Sequence, residues 1–299
     1  MSKTLTFTAV MEAGSLNYGE GFSNISELKK FNRADGNTYT FASRQAIRYD
    51  VVRLGNELFG WNLNTVSKQK GTVQFKDELT IEDSVEMDLF GYLKTGKKSL
   101  KRPATVRLSH AIALEPYNGD MEFLTNMGLA ERLGETANLA NIENHVSYYT
   151  YTITIDLDKV GVDANNAIEL SNEERFTRIH QLLDILKLLS RNIRGRQENL
   201  TPLFVIGGVY PVANPFFQGR VQLEGKNLKV DSLVDTMEFT FGGEAMKQFT
   251  KVGLTSGTFT NEDAIQAALP AVGSVETFFQ EMIKAVANYY EVSYEIVKA

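Results

Sequence analysis

Cysteine is absent from the 299-residue chain, which excludes disulfide scaffolds, thiolate nucleophiles, zinc ribbons and iron–sulfur clusters. Proline is held to 6 residues, and no Pro-rich linker, low-complexity tract or internal repeat interrupts the chain, so one large domain is expected. No apolar run reaches the roughly 20 residues that a membrane-spanning helix requires. Met1 to Val10 alternates polar and apolar residues without a basic leader, so a cytoplasmic protein with no membrane partner is expected. Histidine is limited to His110, His145 and His180, none at metal-ligand spacing, so neither a metal nor a cofactor is expected. Hydrolase chemistry lacks a Gly-x-Ser-x-Gly elbow. The run Gly91 to Lys98 falls one residue short of a phosphate-cradling loop: Lys98 stands where a hydroxyl would hold magnesium, and Pro103 with the strand after it excludes the necessary helix. No catalytic residue is assigned.

What is present is an ordinary globular composition, 43% hydrophobic and 23% charged, with charge unevenly placed. The net charge of −6 argues against a nucleic-acid partner when taken whole. Yet residues 231–299 hold four basic and ten acidic residues of the chain's 31 and 37, which leaves 27 of each sign in residues 1–230. Leu89 to Leu114 carries six basic residues and no acid, and Arg175 to Arg196 carries six against Asp184 alone. A ligand feels local charge, because screening acts over roughly 8 Å at physiological salt. The two basic segments are therefore expected to line a binding groove and the acidic C-terminal region to lie away from it.

Periodicity places a strand over Thr4–Val10 and a long polar loop over Gly14–Thr38. Ser43 caps a helix with the stripe Ile47, Val51, Leu54 and Leu58. Trp61–Lys76 and Val85–Leu93 read as short strands or irregular structure, and Ala104–Leu114 and Ser147–Leu157 as strands separated by a long insertion with a helical middle. Asn172–Ile193 is the clearest helix, burying Leu182, Leu183, Leu186 and Leu189, and Leu200–Gly207 is a buried strand. The order β–α–β–β–α–β is that of the ferredoxin-like unit also used by RNA-recognition domains, so the class is α+β. A strand around Met237–Phe241 and further helices, Val275–Tyr290 the best, complete the chain.

Basic residues interleaved with hydroxyl and amide groups supply candidate phosphate contacts. Asn32 and Arg33 lead through the loop to Ser43, Arg44, Gln45 and Arg48 at a helix N-terminus, where backbone donors and positive potential suit phosphate. Lys97, Lys98, Lys101 and Arg102 form a basic loop, and Arg191, Arg194 and Arg196 follow the second helix. Taken alone, charge pattern favours solvated flanks for Arg44 and Arg48, and the last group also suits a helix C-terminal dipole.

These residues carry a family resemblance. Asn17 to Ser26, Phe31-Asn-Arg33, the helix start Ser43-x-Gln45-x-x-Arg48, Asp88-Leu-Phe-Gly91, the strand Ala104–Leu114, Tyr148–Ile155 and Ser190–Arg196 span most of residues 1–210. In order and spacing they resemble the DevR subfamily of the Cas-seven proteins, backbone subunits of type I-B CRISPR Cascade complexes in antiviral defence. The resemblance implies one domain with an RRM-like palm over about 1–60, 85–114 and 147–240, a thumb over 115–146 and a helical C-terminal region over 241–299. It implies binding to crRNA, head-to-tail association of copies along it, other Cascade subunits as partners, and pairing of the guide with target DNA. It also implies a thumb that wedges between bases, for which Phe123, Leu124 and Met127 are the candidates. Type I backbones bind without cutting, so no enzymatic activity is implied. Tyr49-Asp50-Val51-Val52 stands where relatives carry a denser basic run, which shifts the grip toward Arg44, Arg48 and the Leu89–Leu114 segment. Related type III subunits place a catalytic aspartate where Asp35 lies, so a metal-dependent ribonuclease remains open, as does a subunit that binds only proteins.

Overall fold

The computed structural model describes residues 3–69, 71–95 and 99–294. In chain order its main elements are β1 (Thr4–Gly14), β2 (Lys30–Asn32), β3 (Thr38–Ala42), α1 (Arg44–Phe59), α2 (Val85–Phe90), β4 (Val106–Leu108) and β5 (Ala111–Ala113). An inserted hairpin of β6 (Asp120–Thr125) and β7 (Leu139–Asn144) follows, then β8 (Val146–Asp156), α3 (Asn172–Lys187) and a hairpin of β9 (Ser190–Ile193) and β10 (Arg196–Asn199). The chain ends with β11 (Phe204–Tyr210), β12 (Thr250–Leu254), β13 (Val272–Gly273) and α4 (Val275–Tyr290).

The architecture is mixed α/β, and β1 is its axis. It pairs antiparallel with β8 from Thr4–Asp156 to Gly14–Val146 and with β11 from Thr4–Tyr210 to Val10–Phe204. The sheet runs β13-β12-β11-β1-β8-β5-β3-β2, with β4 also beside β8. Side chains alternate across β1 at period two. Leu5, Phe7, Ala9 and Met11 join Tyr149, Tyr151, Ile153 and Ile155 of β8 in a core covered by Ile47 and Val51 of α1, Leu182 and Leu186 of α3, and Phe278 and Phe279 of α4. On the opposite face Thr6 meets Thr154 at 3.1 Å and Thr8 meets Thr152 at 2.7 Å, hydroxyl to hydroxyl. That face is covered only on the β11 side, where Phe217, Val221, Leu233 and Met246 pack on Phe204, Ile206 and Tyr210.

Several elements differ from their expected positions. The helix expected to reach Ile193 stops at Lys187, because Ser190–Ile193 pairs with Arg196–Asn199 around a turn whose residues Arg194 and Gly195 both have positive φ, 46° and 76°. Val85–Phe90 is a helix, started by Ser84, whose Oγ accepts the Met87 N–H at 3.2 Å. The loop over Gly14–Thr38 contains β2 and a short strand, Ile25–Ser26, parallel to β7. The strand expected at Leu200–Gly207 lies at Phe204–Tyr210, and the strand expected around Met237–Phe241 is confined to Thr240–Phe241, paired with Glu244–Ala245, after a helix over Asp231–Met237. Leu58 is 53% exposed and leaves the stripe of α1. The C-terminal region is not purely helical, since β12 joins the sheet beside β11.

The strand expected over Ala104–Leu114 is broken by a bulge. Leu108 lies opposite Ile153 but Ile112 lies opposite Thr150, so β4 and β5 spend one residue more than β8 over the same distance. Ser109 locks the irregularity, donating its N–H to Thr152 O at 2.9 Å and accepting the Thr152 N–H on Oγ at 2.9 Å.

Both basic segments are partly spent inside the fold, through Lys94 and Arg102 in the first and Arg175 and Arg178 in the second. Asp88, with no solvent exposure, pairs with Arg102 at 2.7 Å and Arg178 at 2.9 Å and accepts the Gly161 N–H at 2.9 Å. Arg102 also donates to the carbonyls of Met87, Asp88, Lys159 and Val162. Lys94 is buried on the carbonyls of Asp77 and Leu79, and Arg175 on those of Leu157 and Asp158. Removing one partner of a buried pair strands the others' charge, a loss of about 3–5 kcal/mol. Asp88→Ala is therefore expected to lose about that much stability in denaturant unfolding. A loss below about 1 kcal/mol would show that the two guanidinium groups find other partners.

Candidate nucleic-acid interface

The uncovered part of the threonine face is the floor of a cleft of 720 Å³, lined by Thr150, Thr152 and Thr154 of β8, by Arg107, His110 and Ile112 around the bulge, and by the Pro215–Leu223 segment. Its far wall is the β2–β3 turn with Arg33, Asp35 and Tyr39, and Arg44 stands at its end. Arg44, Arg107 and Leu108 also line a second cleft with Gln45 and Arg48, and Arg48, Phe90 and Ala104 continue into a third that includes Lys101. Shared walls make the three one groove. It crosses the N-terminal turn of α1 and carries Arg33, Arg44, Arg48, Lys101 and Arg107 against Asp35.

Local chemistry fixes each wall. Asn17 Oδ1 accepts the Ser43 N–H at 3.0 Å, and Ser43 Oγ accepts the Ala46 N–H at 3.2 Å, so the loop after β1 sets where α1 begins. Arg44 and Gln45 are exposed on that first turn. Arg48 is half committed: it pairs with Glu86 at 2.6 Å and lies over the Phe90 ring at 4.9 Å. Arg33 stacks on Tyr39 at 4.5 Å, and Asn32 accepts the Thr38 hydroxyl at 2.8 Å, which holds the turn rather than a ligand. Arg33, Arg44 and Arg107 form no salt bridge among the described residues.

Asp35 is a turn residue. Its carboxylate accepts the Tyr39 hydroxyl at 2.7 Å and the Asn37 N–H at 2.9 Å. The Tyr39 hydrogen bond, then the Asn37 backbone donor, hold its carboxyl below the usual carboxylate range, which makes it a weaker base. Among the described residues no group of three histidine or acidic side chains gathers at metal-binding spacing.

The remaining candidates separate from the groove. Arg102 lies at the wall of the third cleft with its guanidinium withdrawn, since its side chain is 6% exposed and spent on Asp88 and four carbonyls. Lys97 and Lys98 lie outside the described residues. Arg191 faces the buried Asp50 at 3.8 Å, whose carboxyl burial pushes up. Arg194 lies over Tyr18 at 4.3 Å and donates to Ser26 Oγ at 2.9 Å, and Arg196 reaches Glu198 at 3.3 Å. Arg191 and Arg194 tie the β9–β10 hairpin to α1 and to the loop after β1, while Arg196 stays on its own strand and donates to Gly14 O at the end of β1 at 3.4 Å. Arg107, counted among the six basic residues of Leu89–Leu114 but not chosen as a contact, and His110, which a charge count does not register, are the groove residues that the candidate set lacked. Their signal was the slip in alternation at Ser109–His110, together with threonines two apart in β8.

The insertion is a hairpin with a short helical tip, Met127–Ala130, and every residue of β6 is exposed. Phe123 is 61%, Met127 64% and Leu124 40% exposed. Its base, by contrast, is clamped. Glu143 accepts the Leu28 N–H at 2.7 Å and pairs with Lys30 at 2.6 Å, while the Lys30 ammonium lies 4.9 Å from the Tyr117 ring. Burial, with Glu143 next to it, pushes the Tyr117 hydroxyl up to about 12. Thr40 bonds both His145 Nδ1 at 2.7 Å and Tyr149 OH at 2.8 Å, and burial lowers the His145 imidazole.

No helix among the described residues is long and apolar enough to cross a membrane. No curated protein matches the chain. Among solved structures, one chain of a CRISPR RNA-guided surveillance complex superposes with a TM-score of 0.57 at 15% identity, covering 94% of this chain and 99% of its own. A chain of a CRISPR RNA-guided surveillance complex described as pre-nicking gives 0.63 at 13% identity, covering 95% and 100%. At such identities the likeness is one of fold. The model of the CRISPR-associated negative auto-regulator DevR/Csa2 family matches residues 5–227. With that match over most of its length, the chain belongs to the DevR/Csa2 family of CRISPR-associated proteins.

Proposed function

We propose that this chain is a crRNA-binding backbone subunit of a CRISPR surveillance complex of the type I-B Cascade kind, acting without catalysis. The groove is the observation that carries the reading: it brings Arg33, Arg44, Gln45, Arg48, Lys101 and Arg107 to one path across an open sheet face and a helix start. Guanidinium groups along such a path hold phosphates without reading sequence, which leaves the bases free to pair with target DNA. On this reading β1, α1, β4 with β5, β8, α3 and β11 form an RRM-like palm, and residues 115–146 a thumb. The exposed apolar hairpin then seats on the RNA of a neighbouring copy, and head-to-tail repetition grows an open filament whose length the RNA sets.

Exchanging Arg44→Glu together with Arg107→Glu removes two cations and adds two like charges to the phosphate path. Affinity for single-stranded RNA is expected to fall at least tenfold, with a shallower salt dependence, since each lost phosphate contact reduces the log–log slope by roughly 0.7. Unchanged affinity and slope in a filter-binding titration would remove the groove assignment. A wild-type chain with no salt-dependent RNA affinity would instead favour a subunit that binds only proteins.

The hairpin residues give a separate test. Phe123→Ser with Met127→Ser should leave unfolding stability within about 0.5 kcal/mol, as for exposed positions, while sedimentation of the protein with a long RNA shows shorter assemblies. A stability loss above about 2 kcal/mol would mark both as packing residues instead.

The ribonuclease reading rests on Asp35. Incubating the assembled protein and guide with complementary RNA and magnesium is expected to return that RNA intact. Regularly spaced fragments that vanish in Asp35→Ala would replace the scaffold with an enzyme.

A further inference from the structure

His110 occupies the bulge between β4 and β5, exposed on the groove, with its ring edge-on to Phe41 at a centroid distance of 5.2 Å. Its Nδ1 accepts the backbone N–H of Arg44 at 3.1 Å, the first residue of α1. An imidazole whose Nδ1 accepts a hydrogen bond carries its remaining proton on Nε2, so the ring is a neutral donor. The bulge is what puts it there. Val106 and Leu108 pack toward the helix-covered core, and regular alternation would send residue 110 the same way. The extra residue resets the phase, so that Ala111 and Ala113 return to the core and Ser109-His110 is left at the groove.

The groove thus holds two kinds of donor. Arg33, Arg44 and Arg107 are cationic forks suited to phosphate oxygens. His110 is a single neutral N–H set among hydroxyl-bearing Ser109 and Thr152, where an uncharged oxygen is the matching acceptor. We propose that His110 is a specificity-determining residue whose Nε2–H donates to a ribose 2′-hydroxyl and makes the groove prefer RNA to DNA. The proposal rests on the groove being the RNA path. It assigns strand-type discrimination to one side chain, while Arg44, whose amide is held by the same ring, supplies the adjacent phosphate contact.

Two substitutions separate the two nitrogens. His110→Asn retains a carbonyl oxygen near the Nδ1 position for the Arg44 N–H and removes the Nε2 donor. His110→Gln retains a nitrogen donor near Nε2 and gives up Nδ1. The purified full-length chain is titrated with single-stranded RNA and with DNA of the same sequence at fixed salt, and thermal unfolding of each variant is recorded. The wild type is expected to prefer RNA. His110→Asn should lose roughly fivefold in RNA affinity, the worth of one hydrogen bond, with DNA affinity and melting temperature unchanged. His110→Gln should keep most of the preference. Equal losses for RNA and DNA would place His110 on a phosphate, and no loss for either would remove it from the interface; both outcomes overturn the proposal. If Arg44→Glu with Arg107→Glu also leaves RNA binding intact, or the wild type binds neither strand, the RNA reading of the groove fails and the role of His110 fails with it.

Discussion

A single carboxylate without solvent exposure organises one flank of the molecule. Asp88 sits near the end of α2, and its two oxygens collect Arg102 from the short strand Leu100–Arg102, Arg178 from α3, and the backbone of Gly161 after β8. Three stretches far apart in sequence are thereby pinned around α2. A charge this deep is tolerated because every oxygen and most guanidinium nitrogens are engaged, whereas an apolar residue would leave two cations stranded. The pairing also places Phe90, and Phe90 forms the wall against which Arg48 lies. The shape of the groove beyond α1 is thus set by a carboxylate that lines none of its three clefts.

The two faces of the sheet divide the work. Alternation along β1 and β8 sends large apolar side chains toward three helices and threonines toward the other side. The hydroxyls of Thr6 with Thr154 and of Thr8 with Thr152 satisfy one another, which keeps most of the polar penalty off the second face, while those of Thr4 and Thr150 are buried without a partner among the described residues. Open sheet, a helix start and a hairpin turn meet there, and each contributes exposed guanidinium or amide groups. The inserted hairpin follows the opposite economy, with a polar clamp at its root and apolar residues along its length. Soluble monomers rarely present so much uncovered apolar surface unless another molecule receives it.

How much of this was legible in the sequence depended on whether the signal was local. Ser43 before an apolar stripe marked the start of α1, and the alternation of Thr4–Val10 marked the central strand, because capping and period-two patterning are properties of a few adjacent residues. That something is inserted between two strands was visible as a stretch too long for a turn, whereas its hairpin form was not, since a helical middle was expected and only Met127–Ala130 is helical there. Counts of basic residues misled, since Lys94, Arg102, Arg175 and Arg178 have the same formal charge as Arg44 and Arg107 yet are buried. Their partners are Asp88 and backbone carbonyls contributed by distant segments, which no linear window contains. The end of α3 was misplaced for a different reason: leucine periodicity runs on through Leu189, while the turn at Arg194-Gly195 that makes Ser190–Ile193 a strand lies beyond the window.

The bulge at Ser109–His110 also has a meaning for chain length. A deletion of one residue between Arg107 and Ala111 would let the two short strands fuse into one regular ladder against β8, with a full complement of backbone hydrogen bonds. The same deletion would leave Ala111 and Ala113 on the core side and Ile112 opposite Thr150, as they now stand, because removing the extra residue removes the slip it compensates; what disappears is the outward kink that presents Ser109 and His110. The chain has kept the longer, less regular form, so its sheet is one residue away from a more orderly alternative that would carry no imidazole at the start of α1. Length at this point is therefore as much a part of the site as side-chain identity.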